Sequence, residues 1–158
     1  MIVEKKEYLN LSQAMSFVDS CRKSGKTIVT TNGCFDIIHA GHIQYLEEAA
    51  KLGDILIVGL NSDNSVKRLK GEDRPVQNQT ARLSVMAALK PVDAAFIFEE
   101  DTPENFLASI KPDIHVKGGD YSRDLPEKSI VENSGGKIVI LSFKDGYSTT
   151  GILDKVKK

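Results

Sequence analysis

His39 and His42 are the residues of this chain best placed to do chemistry. They close the stretch Thr31-Asn32-Gly33-Cys34-Phe35-Asp36-Ile37-Ile38-His39-Ala40-Gly41-His42. An apolar, β-rich run (Thr27 to Thr31) leads in, and a helical repeat of Ile43, Leu46, Ala49 and Ala50 leads out. The first turn of a helix presents unpaired N–H groups and the positive end of the macrodipole, which suits phosphate. If the helix starts near Ala40, both rings reach one ligand above its first turn. Gly33 and Gly41 carry no Cβ, so backbone can turn sharply or approach a bulky group. The chemistry on offer is a cradle for a triphosphate. Two plainer readings stand beside it: histidines that decorate a helix start, and a half-built metal site. Metal is the weaker, because zinc takes three or four protein ligands and no cysteine or carboxylate pair stands at a matching spacing. Cys34 as a nucleophile has no histidine assignable to it.

Other segments repeat the anion theme. Asn61-Ser62-Asp63-Asn64-Ser65 is polar and follows an apolar run, at a strand's carboxyl end where ligands of open α/β sheets bind. Lys67, Arg68, Lys70 and Arg74 then crowd one short, loop-like stretch, Val66 to Val76. This is either a solvated basic patch or a set of anion contacts. Arg82 falls in the first turn of a further helix opened by Gln79 or Thr80, where a cation opposes the dipole; it is held for an anion or pairs with a nearby acid. Lys117-Gly118-Gly119 sits at another strand end and would let a nucleotide approach closely. Ser148-Thr149-Thr150 stands where a last helix must begin. One hydroxyl caps a helix; three in a row leave spare donors for a second phosphate-binding helix start. His115 lies mid-strand and reads as a packed, hydrogen-bonded core residue.

The elements that must position these groups alternate. Leu11, Ala14, Met15 and Val18 predict a covering helix ended by Gly25. Strands follow at 27–32, 54–60, 94–98, 113–116 and 137–142, with helices between them. The continuous apolar run Ile55 to Leu60 is that of a strand covered on both faces, hence parallel. The expectation is an α/β, Rossmann-like single domain over residues 1–158: a five-stranded parallel sheet with helices on both faces, a covering helix in 1–25 and the catalytic core in 26–158. At 158 residues the chain can bury about 68–70 % of its unfolded surface, so it needs no disulfide or metal staple. A formal net charge of −1 gives no reason to expect nucleic acid or an anionic membrane. Met1-Ile2-Val3 runs straight into Glu4-Lys5-Lys6-Glu7, unlike a signal peptide, and no apolar run spans a bilayer. The two cysteines, Cys21 and Cys34, read as reduced thiols, so a cytoplasmic protein is expected.

Taken together, the Thr-Asn-Gly-Cys-Phe-Asp-Ile-Ile-His-Ala-Gly-His loop, Asn-Ser-Asp, Arg-Leu-Lys-Gly-x-x-Arg-Pro-Val, Phe-Glu-Glu-Asp-Thr-Pro, Val-Lys-Gly-Gly-Asp-Tyr and Asp-Gly-Tyr-Ser-Thr-Thr resemble the His-x-Gly-His nucleotidyltransferases, related to cytidylyltransferases and class I tRNA synthetases. Within them the chain looks most like the D-glycero-β-D-manno-heptose 1-phosphate adenylyltransferases, over about Lys26 to Lys155. That activity is often half of a bifunctional heptose kinase/adenylyltransferase; the expectation here is the stand-alone form. The resemblance implies that heptose 1-phosphate attacks the α-phosphorus of ATP, giving ADP-heptose and pyrophosphate. It implies that His39, His42, Lys70 and Thr149 act on the phosphates. Asn32, Gly33, Phe35, Arg82, Lys117, Gly118, Gly119, Ser148 and Thr150 would bind nucleotide. Asp36, Asn61, Asp63, Lys67 and Arg74 would face the sugar phosphate, unless Asp36 merely fixes its loop. Mg²⁺ would ride on the triphosphate with water ligands, and a homodimer is usual. The alternative is a cytidylyltransferase that uses CTP with a polyol or sugar phosphate such as glycerol 3-phosphate; Lys144, where such enzymes often carry Arg, weighs against it. A non-catalytic nucleotide-binding subunit is the third possibility, disfavoured by the intact histidine pair and hydroxyl-rich helix start. A dehydrogenase is disfavoured because no Gly-x-Gly-x-x-Gly follows the first strand.

Overall fold

The computed structural model describes residues 6–119, 125–142 and 146–157. Its centre is a parallel sheet of six strands: β1 (Glu7–Tyr8), β2 (Ile28–Gly33), β3 (Ile55–Asn61), β4 (Ala94–Phe98), β5 (Ile114–Gly118) and β6 (Lys137–Leu141), in the order β1-β4-β3-β2-β5-β6. The sheet therefore has one strand more than the five expected. The extra one, β1, is a two-residue edge strand in register with Ala95 and Phe96. Two residues carry no alternation to read, and β1 forms because β4 offers it a free edge.

Apolar residues of the central strands divide between the two faces, as period-2 geometry requires. In β3, Leu56, Val58 and Leu60 join one core; Ile57 joins the other. The first core is closed by α2 (Ala40–Ala50) and α4 (Gln79–Ala88) through Tyr45, Leu46, Ala49, Leu83 and Met86. The second is closed by α1 (Leu11–Lys23), α5 (Glu104–Ile110) and α6 (Pro126–Asn133) through Ala14, Val18, Phe106, Leu107, Ile110 and Val131. Residues 11–23 are thus a covering helix, capped by Asn10, whose side chain accepts from the Gln13 amide at 2.9 Å.

A second correction concerns the basic stretch. Asp63–Lys70 is a helix, α3, where a loop was expected; the Ser62 hydroxyl caps it by accepting from the Ser65 amide at 3.2 Å. The helix is short and mostly polar, so its apolar signal reduces to Val66 and Leu69. It ends at Gly71, whose φ of +109° is readily reached only without a Cβ.

Apart from the edge strand β1, chain order runs outward from β2 in both directions, so the strand order reverses between β2 and β5. Ligands of open α/β sheets bind outside the carboxyl ends of the strands at such a point. Here those ends are Asn32-Gly33 and Lys117-Gly118.

Candidate active site

Above the β2–β5 junction lies a cleft of about 560 Å³. Its wall includes Asn32, Gly33, Phe35, Asp36, His42, Asn61, Lys70, Arg74, Lys117, Gly118, Thr149 and Thr150, all expected to contact ligand. Cys34, Tyr45, Leu69 and Asp101 also line it and were not expected to. His39, Asp63, Lys67, Arg82, Gly119 and Ser148 do not belong to the wall.

The loop after β2 is held in an uncommon shape. Phe35 has φ +45°, a left-handed conformation that non-glycine residues rarely adopt. Its ring lies over Gly33, where a Cβ would sit 2.9 Å from Phe35 Cε2. Arg82 fixes the loop from below. Its guanidinium is fully buried and donates to the carbonyls of Cys34 (2.8 Å), Asn61 (2.8 Å) and Gln77 (3.0 Å) and to the Asp63 carboxylate (2.9 Å). Of the two alternatives for Arg82, the structure displays the ion pair with an acid. Asp36 clasps the far side: one oxygen accepts from Arg74 Nε and the Val76 amide, both at 2.8 Å, the other from the Gln77 amide at 2.9 Å. Burial alone would push this carboxyl up, but the two amides and the guanidinium outweigh it and hold it below the usual range. Asp36 thus fixes its loop, and Arg74 is its partner.

At the start of α2, His39 is the N-cap and its ring stacks on His42, with centroids 3.7 Å apart and planes 24° from parallel. Phe35 meets His42 edge-on at 5.2 Å. The His39 amide donates to His42 Nδ1 at 3.3 Å. An accepting Nδ1 carries no proton, so the neutral ring holds it on Nε2, as a donor. Burial, then the neighbouring His39, pushes the His42 pKa down to about 4; burial also lowers that of His39. Both rings are therefore neutral at pH 7.

The second helix mouth faces the same cleft. In α7 (Thr149–Val156) the Ser148 hydroxyl caps the helix by accepting from the Gly151 amide at 2.9 Å. Thr149 Oγ1 donates to the Ile37 carbonyl at 3.1 Å, two residues before His39. Gly41 permits this closeness: a Cβ there would stand 3.1 Å from Tyr147 Cβ and 3.0 Å from His39 Cε1.

Charge arrives from three directions. Lys70 comes from the end of α3. Lys117, at the end of β5, is paired with the buried Glu127 of α6 at 2.8 Å. Asp101 is held by Arg68 at 2.9 Å and accepts from Ser65 Oγ at 3.2 Å. The Cys34 thiol is pushed above its usual value by burial, in spite of Lys70, Arg82 and Arg74 nearby, so it stays protonated at neutral pH. His115 is the core residue expected, fully buried with Nδ1 2.8 Å from Thr30 Oγ1. Lys144 lies outside the described residues, as do Asp120 and Tyr121 of the Lys-Gly-Gly-Asp-Tyr stretch.

The cytidylyltransferase-like family model matches residues 30–154. The chain belongs to the cytidylyltransferase-like family. Among curated members similar to it is the bifunctional protein HldE of Proteus mirabilis, 53% identical over 148 residues, which cover 93% of this chain and 31% of that protein. HldE of Geobacter metallireducens is 46% identical, over 93% of this chain and 30% of its own length. This cytidylyltransferase-like chain thus spans about three-tenths of the length of those relatives. A solved lipopolysaccharide core biosynthesis protein from Thermoplasma volcanium is 35% identical, with a TM-score of 0.63 over 78% of this chain and all of the other. Pantoate-beta-alanine ligase from Francisella tularensis, at 17% identity and TM-score 0.58 over 90% of this chain and 68% of its own, shares the fold.

Proposed function

We propose that this chain transfers AMP from ATP to D-glycero-β-D-manno-heptose 1-phosphate, releasing pyrophosphate. The observation that carries the reading is the convergence of two helix mouths on one cleft: His42, Thr149 and Thr150 line it together, and Thr149 Oγ1 is bonded to the loop that ends in His39. A triphosphate bridges such a pair, since each mouth offers free N–H groups and a positive dipole end. Identity to HldE proteins and to a lipopolysaccharide core biosynthesis protein favours a sugar phosphate as acceptor.

The chemistry asks little beyond positioning and charge stabilisation. A phosphate oxygen of the heptose 1-phosphate forms the new bond to the α-phosphorus as the bond to the β-phosphate oxygen breaks. The attacking oxygen is already anionic and pyrophosphate leaves as an anion, so no general base is needed. His42 donates Nε2–H to the oxygens on which charge accumulates, and His39 backs it. Lys70 neutralises phosphate from the end of α3. Thr149 and Thr150 hold the β/γ end, while Asn32, Gly33, Lys117 and Gly118 border the nucleotide. Gly119 and Ser148 support these from one residue away. Arg82, Asp63, Asp36 and Arg74 hold the loops that shape the site; Asn61 faces the acceptor, and Lys67 serves at longer range. Among the described residues no cluster of three or more histidines, cysteines or carboxylates could cage a metal. The wall fits a Mg²⁺ ion held by the nucleotide's own phosphates and water, with Asp101 the carboxylate at hand; when bound, Mg²⁺ would withdraw charge from the phosphates. We place the enzyme in the cytoplasm as a homodimer.

The test is a screen of nucleoside triphosphates against heptose 1-phosphate, read by pyrophosphate release. ATP should be preferred. Preference for CTP would replace this reading with that of a cytidylyltransferase, and nucleotide binding without turnover would reduce the chain to a binding subunit.

A further inference from the structure

The β2–β5 seam carries a feature that the reaction scheme leaves unused. These strands pair in register at Val29 with Ile114 and Thr30 with His115, yet β2 continues to Gly33 and β5 to Gly118. Beyond Thr30 and His115 the strands part, and the cleft opens between them. At the base of that opening three groups meet. Thr31 Oγ1 donates to the Val116 carbonyl at 2.9 Å, and Tyr45 Oη lies 2.7 Å from Thr31 Oγ1 and 3.3 Å from the same carbonyl. Tyr45 Oη also donates towards the Val116 carbonyl, so the two hydroxyls converge on one carbonyl and bond to each other. The result is a relay from α2 to β2 to β5 in which each bond polarises the next. It is buried: Thr31 is fully enclosed and Tyr45 only 3 % exposed.

Its members are well placed to matter. Tyr45 lies one turn after His42 on α2. Thr31 precedes Asn32-Gly33, and Val116 precedes Lys117-Gly118. A hydroxyl thus bridges the strands one residue past the last paired positions, Thr30 and His115. We infer that Tyr45, acting through Thr31, is a positioning residue for nucleotidyl transfer: the two hydroxyls set the width of the cleft floor and hold His42 in register with both strand ends. This rests on the function proposed above.

The experiment compares Tyr45→Phe, Thr31→Val and Thr31→Ser, each alone, and Tyr45→Phe on a His42→Asn background. Steady-state rates with ATP and heptose 1-phosphate are measured beside histidine-ring NMR spectra of the intact chain. Tyr45→Phe should lower kcat about tenfold while both KM values stay within about twofold. It should also shift the His42 ring resonances. On the His42→Asn background it should have no further effect on kcat, because the residue it positions is gone. Thr31→Val should behave like Tyr45→Phe, and Thr31→Ser, which keeps the hydroxyl, should match the wild type. An equal fold-loss on both backgrounds would show that the hydroxyls serve stability alone and would overturn the inference, as would unmoved His42 resonances. Failure of the proposed function is separate: the unmutated chain would then release no pyrophosphate with any triphosphate, and the resonance comparison would still decide whether the relay holds His42.

Discussion

The two helix mouths at the cleft are built to different standards. The α2 mouth is fixed from all sides. Gly41, Tyr45, Leu46 and Ala49 of α2 are buried, the histidines stack on each other, Phe35 meets His42 edge-on, and the helix is bonded through Tyr45 to β2. The α7 mouth has no buried residue in its helix, and it meets the other mouth through the bond from Thr149 to Ile37 and the stacking of Tyr147 on His39, with centroids 6.3 Å apart. The difference teaches how one site divides its work. In the proposed reaction the rigid mouth would fix donors where charge develops at the α-phosphorus, where preorganisation counts most. The lightly held mouth would then grip the outer phosphates, which must enter and leave as product.

Three measurements would break or sharpen that contrast. The largest effect is expected at the rigid mouth. His42→Ala should lower kcat by about 10²- to 10³-fold, in the range of losing one preorganised donor to a transition state, with little change in KM for ATP. Pyrophosphate-release kinetics check this, and near-full turnover would remove His42 from the mechanism. At the loose mouth, Thr149→Val should cost about tenfold in kcat/KM, the worth of one hydrogen bond, mainly through a higher KM for ATP. A loss of kcat equal to that of His42→Ala would erase the distinction. The smallest effect concerns pH. The His42 pKa is pushed down to about 4 and that of His115 to about 3, both chiefly by burial. The unfolded chain, with histidines near 6.5, therefore binds more protons than the folded one in this range. The histidine contribution to stability should level off above about pH 7 and fall progressively as pH drops towards 4 and below. Denaturant midpoints measured across that range check it, and His42→Asn should flatten the upper part of the slope.

How far the sequence foretold this arrangement depended on the kind of signal. The strand–loop–helix around His39 was legible because a continuous apolar run and a 3.6-residue repeat flank it over enough positions to be read. The second helix mouth was legible from Ser148-Thr149-Thr150, since a cap accounts for only one of the three hydroxyls. Strand β1 was not, because two residues show no period and its pairing depends on the edge of β4. Nor was α3, whose few apolar residues are diluted by charge. That omission mattered, since helical phase brings Lys70 to the cleft and keeps Lys67 out of its wall. Arg82 was legible as a misplaced cation but not as a brace, because three of its four partners are backbone carbonyls, which look alike in every sequence. The contribution of Tyr45 was hidden for a related reason: its partners come from strands 14 and 71 positions away.

The brevity of β1 has a consequence for how the molecule behaves in a crowd. A sheet that stopped at β4 would offer the exposed backbone of a fully apolar strand to any neighbouring chain as a template. Among the described residues, Glu7 and Tyr8 lie across part of that rim and present a two-residue stub to the outside. Lengthening this segment into a flat apolar strand would be the most direct way to make the chain stack edge to edge.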